Sequence, residues 1–129
     1  DAQGKTIYQA PDEPQIVRRP IKPETADQLR TMMETTVSMG TGYTAFHDPS
    51  GRAFLPNIKV AAKTGTLTRS STKEFYTWFV GFAPSDKPEV AFSMLVVNGP
   101  KWRTKANVLS REVLRAYFAS RKAPGVTKP

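Results

Sequence analysis

Cysteine is missing from all 129 residues. Its absence excludes disulfides, thiolate metal sites and a cysteine nucleophile, and leaves the redox compartment open. Histidine occurs once, at His47, so no multi-histidine metal centre can be assembled. No stretch approaches the roughly 18 apolar residues that a membrane helix needs. The densest patches, FYTWFVGFA and VAFSMLVV, have the length of strands. HExxH, CxxC, GxGxxG, the Walker loop and GxSxG are also absent, which removes most compact catalytic signatures.

What remains is material for one domain. A 39% hydrophobic content with two Trp, four Tyr and seven Phe suits a single modest core rather than a disordered or fibrous chain. The first residue is Asp1, with neither an initiator Met nor a basic and apolar leader, so a processed, excised or truncated product is expected. The net charge of +8 is local: residues 101–129 hold eight basic groups and one acidic group, whereas residues 1–100 hold 11 basic and 10 acidic. Lys101, Arg103, Lys105, Arg111, Arg115, Arg121 and Lys122 are expected on the wet face of a helix.

Residues 1–20 alternate short apolar pieces with Pro11, Pro14 and Pro20, predicting an extended lead-in. From Pro23, the apolar residues Ala26, Leu29, Met32, Met33 and Val37 recur at helical steps, and Gly40 follows; a helix over 23–39 is expected, with Met32 and Met33 in the core. Gly40-Thr41-Gly42 breaks it. His47-Asp48-Pro49-Ser50-Gly51 carries turn chemistry. Ile58 to Leu67 alternates as a strand, with Ile58, Val60, Ala62, Thr64 and Thr66 on one face. Phe75–Phe82 and Val90–Val97 predict a hairpin of two well-buried strands, with Trp78, Phe79 and Phe82 packed in the core. Residues 103–120 are expected to form an amphipathic helix, with a flexible tail expected at 121–129. The expected class is α+β: a three-strand antiparallel meander packed against N- and C-terminal helices. Two apolar strands in so small a sheet want further neighbours, so the core looks unfinished.

Few residues carry chemistry. His47, beside Asp48 in a turn, is expected to be a solvated turn residue. Trp102, between Lys101 and Arg103, is expected to cap the edge of a core. Ser70-Ser71-Thr72-Lys73 matches S-x-x-K, but the abundance of Ser and Lys makes one match unremarkable, and it falls between two strands; Ser70 is not taken as a nucleophile. The exception is Lys63-Thr64-Gly65-Thr66. A fixed triplet arises by chance in about 1–2% of chains this long. A strand that holds an acyl donor needs a cation, hydroxyls for a carboxylate, and a residue without a side chain where the ligand backbone approaches. Lys63, Thr64, Gly65 and Thr66 supply all three.

With this motif the sequence resembles the penicillin-binding proteins and related serine D,D-transpeptidases, whose third signature is K-T-G on the strand that walls the active site. The order of segments is similar as well. PETADQLRTMMETTV, GTGYTAF, VAAKTGTL, FYTWFVGFAP and EVAFSMLVVNGP follow one another as in that family's C-terminal region, over roughly residues 15–120. The resemblance implies the β-lactamase/transpeptidase-like fold, with 1–129 as the C-terminal portion of a single transpeptidase domain. Two departures matter. There is no S-x-N, and the lone S-x-x-K lies after K-T-G, so the family's nucleophile and second motif would belong to the rest of the domain, in the same polypeptide or as a separate chain. Ala62 also stands where the family commonly has Gly, placing a methyl group at a crowded position.

The resemblance implies that Lys63 helps move a proton between serines and leaving group, and that Thr64 and Thr66 bind the carboxylate of substrate or β-lactam. The Thr66 N–H would be one of two oxyanion donors, and Gly65 would leave room for the acyl chain. Strand alternation puts Lys63 on the face opposite Thr64 and Thr66, so a shared site requires an edge strand. The implied substrates are the D-Ala-D-Ala end of a peptidoglycan stem peptide and β-lactam antibiotics. Neither cofactor, metal nor nucleic acid is implied, and the implied location is the cell envelope outside the cytoplasmic membrane, with the anchor not in this chain. Two other readings stay open: a basic module whose aromatic hairpin and C-terminal segment bind nucleic acid, and a non-catalytic penicillin-binding-like scaffold.

Overall fold

The computed structural model describes residues 5–9, 11, 13 and 15–121. Its elements are α1 (Pro23–Ser38), α2 (Tyr43–Phe46), β1 (Ala61–Arg69), β2 (Glu74–Ala83), β3 (Val90–Asn98) and α3 (Ala106–Ser120). The described residues before Pro23 are exposed and carry no helix or strand; the expected tail beyond residue 121 lies outside the described residues.

Helix α1 begins with Pro23 in its first turn, where a missing N–H costs nothing, and with Glu24 beside the positive end of the helix dipole. The hydroxyls of Thr31 and Thr35 donate to the carbonyls of Asp27 and Thr31 at 3.0 and 2.9 Å, so these β-branched polar residues stay compatible with the helix. Its apolar stripe is not a uniform core face. Val37 is buried and Met33 half-buried, but Met32 is 67% exposed. The expectation that Met32 packs in the core is therefore corrected, because a three-stranded sheet is too small to cover every apolar turn of a 16-residue helix.

The sheet is the expected antiparallel meander in the order β1-β2-β3. Its register pairs Ala62 with Gly81, Lys63 with Val80, Gly65 with Trp78 and Thr66 with Thr77, and Phe79 with Met94. Since paired residues share a face, Thr64, Thr77 and Phe79 look toward the helices while Lys63, Trp78 and Val80 look away. Val37 of α1, Phe46 of α2, and Leu114 and Phe118 of α3 close over Phe79, Ala62 and Ala83 in one core. The Phe79 ring lies between those of Phe46 and Phe92, at 5.7 and 5.8 Å.

The opposite face is open among the described residues except at its Ala61–Phe82 end. Leu67 is 61% and Val97 50% exposed, and Val80 and Leu95 are exposed beside them. Only part of the expected well-buried hairpin is therefore buried: Phe79 is enclosed, Phe82 half-buried and Trp78 exposed. Strand alternation is what divides them, since the helices pack on one side only.

Element ends also shift for identifiable reasons. β1 starts at Ala61 rather than Ile58, with the Lys59 carbonyl bonded to Ser85 N–H at 2.8 Å instead of to a ladder partner. Helix α3 starts at Ala106 rather than 103 because the Asn98 side chain holds the approach extended, donating to Thr104 O at 2.9 Å and accepting from Arg103 N–H at 3.2 Å. Ser85, buried, donates to Glu34 Oε1 at 2.6 Å and ties the β2–β3 turn to α1.

Candidate active site on the free edge of β1

β1 is an outer strand, so the edge away from β2 has no ladder partner among the described residues. Lys63, Thr64, Gly65 and Thr66 occupy the third to sixth of its nine positions. Thr64, on the helix face, is half-buried, and its Oγ1 lies 2.7 Å from that of Thr41 in the turn after α1. Lys63, on the other face, is exposed, and its ammonium donates to the Thr64 carbonyl at 2.8 Å. The alternation that separates Lys63 from the two threonines is thus real, and the long lysine stem carries its charge back to the strand.

Thr41, Thr64, Thr66, Thr77, Trp102 and Lys105 line a cavity of about 330 Å³, with Gly65 and Trp78 also at its wall. Each wall is held in place. The Ala106 N–H, at the start of α3, donates to Thr77 Oγ1 at 3.2 Å, and that hydroxyl donates onward to Val96 O at 3.3 Å. The Trp102 ring packs on Phe75 at 5.2 Å, with the Lys105 ammonium 5.3 Å from its centroid; Trp102 is 39% exposed and lines this cavity instead of the expected core edge.

Two glycines on neighbouring strands differ in a telling way. A Cβ at Gly81 would sit 2.2 Å from the Ala61 carbonyl oxygen and 2.8 Å from Ala62 Cβ. Gly81 therefore makes the room that lets Ala62 keep its methyl group. A Cβ at Gly65 would meet Trp78 Cβ at 3.4 Å, an ordinary contact. Nothing within the described chain demands glycine at 65, so the space above it is available to an approaching backbone.

The other candidates lie elsewhere. His47 stacks on Tyr43 at 4.2 Å, and its Nδ1 is 3.2 Å from the Tyr43 carbonyl, which can only accept. The ring is half-buried rather than freely solvated, because the turn folds it onto α2. A cavity of about 270 Å³ beside α1 includes Glu34 and His47, but Ser85 occupies the Glu34 carboxylate. Ser70 is exposed in the β1–β2 turn, outside the lining of the β1 cavity. Two carboxyls are held below the ordinary range: Asp48 by the Ser50 hydroxyl and the Arg52 N–H, and Glu74 by the hydroxyls of Thr72 and Tyr76. Both stabilise turns. The basic C-terminal segment is only partly a wet helix face. Arg111, 17% exposed at its side chain, donates to the Ala45 carbonyl at 2.8 Å and pairs with Glu112, while Arg121 bonds Glu89 at 2.9 Å. These charges are spent on the fold.

Thr41, Thr77, Trp102 and Lys105 complete a wall for which the sequence assigned only the K-T-G-T residues. Trp102 was visible as an aromatic in a basic setting, and Thr41 only as the middle of a helix-breaking Gly-Thr-Gly.

A helix-backed meander with Lys-Thr-Gly-Thr on its outermost strand has the α+β architecture of the β-lactamase/transpeptidase-like fold. The family model of the penicillin-binding protein transpeptidase domain matches residues 4–118. The D,D-transpeptidase domain of a peptidoglycan glycosyltransferase from Eggerthella lenta superposes with a TM-score of 0.64 at 26% identity, over 94% of this chain and 26% of that one. Penicillin-binding protein A from Mycobacterium tuberculosis, solved as an imipenem acyl-enzyme complex, gives 0.55 at 30% identity, over 78% of this chain and 21% of that one. The peptidoglycan D,D-transpeptidase MrdA of Haemophilus influenzae is 29% identical over 103 residues, which is 69% of this chain. The chain belongs to the penicillin-binding protein transpeptidase family. It spans 15–16% of the length of curated relatives such as MrdA and the Mycobacterium tuberculosis enzyme PbpA.

Proposed function

We propose that residues 1–129 are the C-terminal portion of one peptidoglycan D,D-transpeptidase domain acting in the cell envelope, outside the cytoplasmic membrane. The carrying observation is the placement of Lys63, Thr64, Gly65 and Thr66 on a free strand edge, beside a cavity that Thr64 and Thr66 help line. The nucleophile is a serine in the part of the domain that carries S-x-x-K and S-x-N, and that part covers the exposed face bearing Lys63, Val80, Leu95 and Val97.

The serine Oγ attacks the penultimate D-Ala carbonyl of a stem peptide, its proton passing through the lysine- and serine-lined centre to the departing nitrogen. The C–N bond breaks, terminal D-Ala leaves as an amine, and an ester remains. The amine of a second stem then attacks that ester, forming the cross-link and returning a proton to the serine. Water in place of the amine gives carboxypeptidase activity. Lys63 biases the proton transfers, the Thr64 and Thr66 hydroxyls hold the terminal carboxylate, the Thr66 N–H donates to the oxyanion, and Gly65 admits the acyl chain. A β-lactam enters by the same attack, with its ring C–N bond opening and the ester persisting.

The test is fluorescent penicillin applied to the native protein, read on a denaturing gel and by intact-mass and peptide mass spectrometry. Label is expected on a serine outside residues 1–129, with acylation about 100-fold slower in Lys63→Ala. Label on Ser70 overturns the assignment. Absence of label from a folded preparation that holds the whole domain favours the non-catalytic scaffold instead.

A further inference from the structure

The Gly40-Thr41-Gly42 segment has a structural job that reaches the site. After α1 the chain turns back against the helix end: the Gly40 N–H donates to Thr35 O at 2.9 Å and the Gly42 N–H to Thr36 O at 2.8 Å. A Cβ at Gly40 would lie 2.9 Å from Thr36 Cα, and one at Gly42 would lie 3.0 Å from Thr36 O. Both obstacles are backbone, so neither yields cheaply to a side chain. The threonine between them is held by main-chain bonds on both sides, and its hydroxyl lands 2.7 Å from the Thr64 hydroxyl, 23 residues along the chain.

Each hydroxyl has one proton and two acceptor lone pairs. If Thr64 donates to Thr41, its proton is consumed and it has nothing to offer an anion. If Thr41 donates, the Thr64 O–H is released to point elsewhere. Both threonines line the 330 Å³ cavity, so elsewhere includes a ligand oxygen. We propose that Thr41 is a positioning residue: on binding it donates to Thr64 Oγ1 and so directs the Thr64 O–H at the carboxylate of the bound acyl donor. This inference rests on the reading that Thr64 binds that carboxylate. It adds a residue from outside the strand, clamped by the two glycines, whose contribution is the direction of a proton.

The experiment uses the native protein with the rest of its domain and two probes, benzylpenicillin and benzylpenicillin methyl ester, the second lacking the negative charge. Second-order acylation rates are measured for the parent, Thr41→Val, Thr41→Ser and Thr64→Val, with thermal midpoints as a folding control. Thr41→Val keeps the shape and removes the hydroxyl. It is expected to slow benzylpenicillin about tenfold, as for one lost charge-assisted hydrogen bond, and to slow the methyl ester, whose carbonyl is only a neutral acceptor, by no more than about threefold. Thr41→Ser restores the benzylpenicillin rate to within about threefold of the parent. Equal losses for both probes, or no loss in Thr41→Val while Thr64→Val is impaired, overturns the positioning role alone. A Thr64→Val variant as selective for the carboxylate as the parent, or a parent that neither probe acylates, overturns the carboxylate reading and this inference together.

Discussion

Gly81→Ala is a sharp test of how β1 is held. The new Cβ would lie 2.2 Å from the Ala61 carbonyl oxygen, 2.8 Å from Ala62 Cβ and 2.9 Å from Ala62 Cα, where carbon contacts settle near about 3.5–4.0 Å. More than 1 Å must be found, and since Ala61 and Ala62 are fully buried, it comes from opening β1 away from β2. Overpacking typically costs about 1–3 kcal/mol. With backbone as the obstacle and a ladder hydrogen bond worth roughly 1 kcal/mol at risk, about 3 kcal/mol is expected. At 2–4 °C per kcal/mol for a domain of about 150–250 residues, the thermal midpoint of the protein falls by roughly 6–12 °C. Gly65→Ala is the control. Its Cβ meets Trp78 at 3.4 Å, so stability changes by less than about 1 kcal/mol, while acylation by fluorescent penicillin drops because the methyl group occupies the ligand's approach. A Gly81→Ala midpoint within 2 °C of the parent, or a Gly65→Ala midpoint falling as far as that of Gly81→Ala, refutes the reasoning.

Phe79→Ala removes a fully buried ring from between Phe46 and Phe92 and is expected to cost about 3–5 kcal/mol, read as a lower urea midpoint with an unchanged m-value. The Asp48 carboxyl accepts from the Ser50 hydroxyl at 2.6 Å and the Arg52 N–H at 3.0 Å, and its pKa is lowered in the fold. A depressed folded pKa stabilises above the unfolded value, about 3.9, and that stabilisation is lost as pH falls through the folded pKa. Asp48→Asn is therefore less stable than the parent by a constant amount between pH 5 and 7, and the difference shrinks below about pH 4. Thermal midpoints at pH 7, 5, 4 and 3 check this, and a difference that widens in acid contradicts it.

The element order, the three-strand meander and the K-T-G-T strand were legible because each depends on neighbours in sequence. Helical spacing marked α1 and α3, alternation marked β1, continuous apolar runs marked β2 and β3, and Pro84 to Pro88 marked the turn between them. Element boundaries were less legible. β1 begins late and α3 later than its pattern suggests, because Ser85 and Asn98 bond backbone groups that local periodicity treats as free. Met32 was misplaced because a helical stripe says which side is apolar and not how far a partner extends.

The sequence by itself determined the family and the residues of the edge strand, since a lysine, two hydroxyls and a glycine in four consecutive positions carry their chemistry wherever the strand lies. It also implied an unfinished core, and the face bearing Leu67, Val80, Leu95 and Val97 is open among the described residues. Only the tertiary structure decided that Thr41 meets Thr64, that Trp102 and Lys105 close the cavity, that Gly81 makes room for Ala62, and that Arg111 is committed to the Ala45 carbonyl. Those are contacts between residues tens of positions apart. Their distances follow from how the helices pack on the sheet and from its register, and local pattern contains neither.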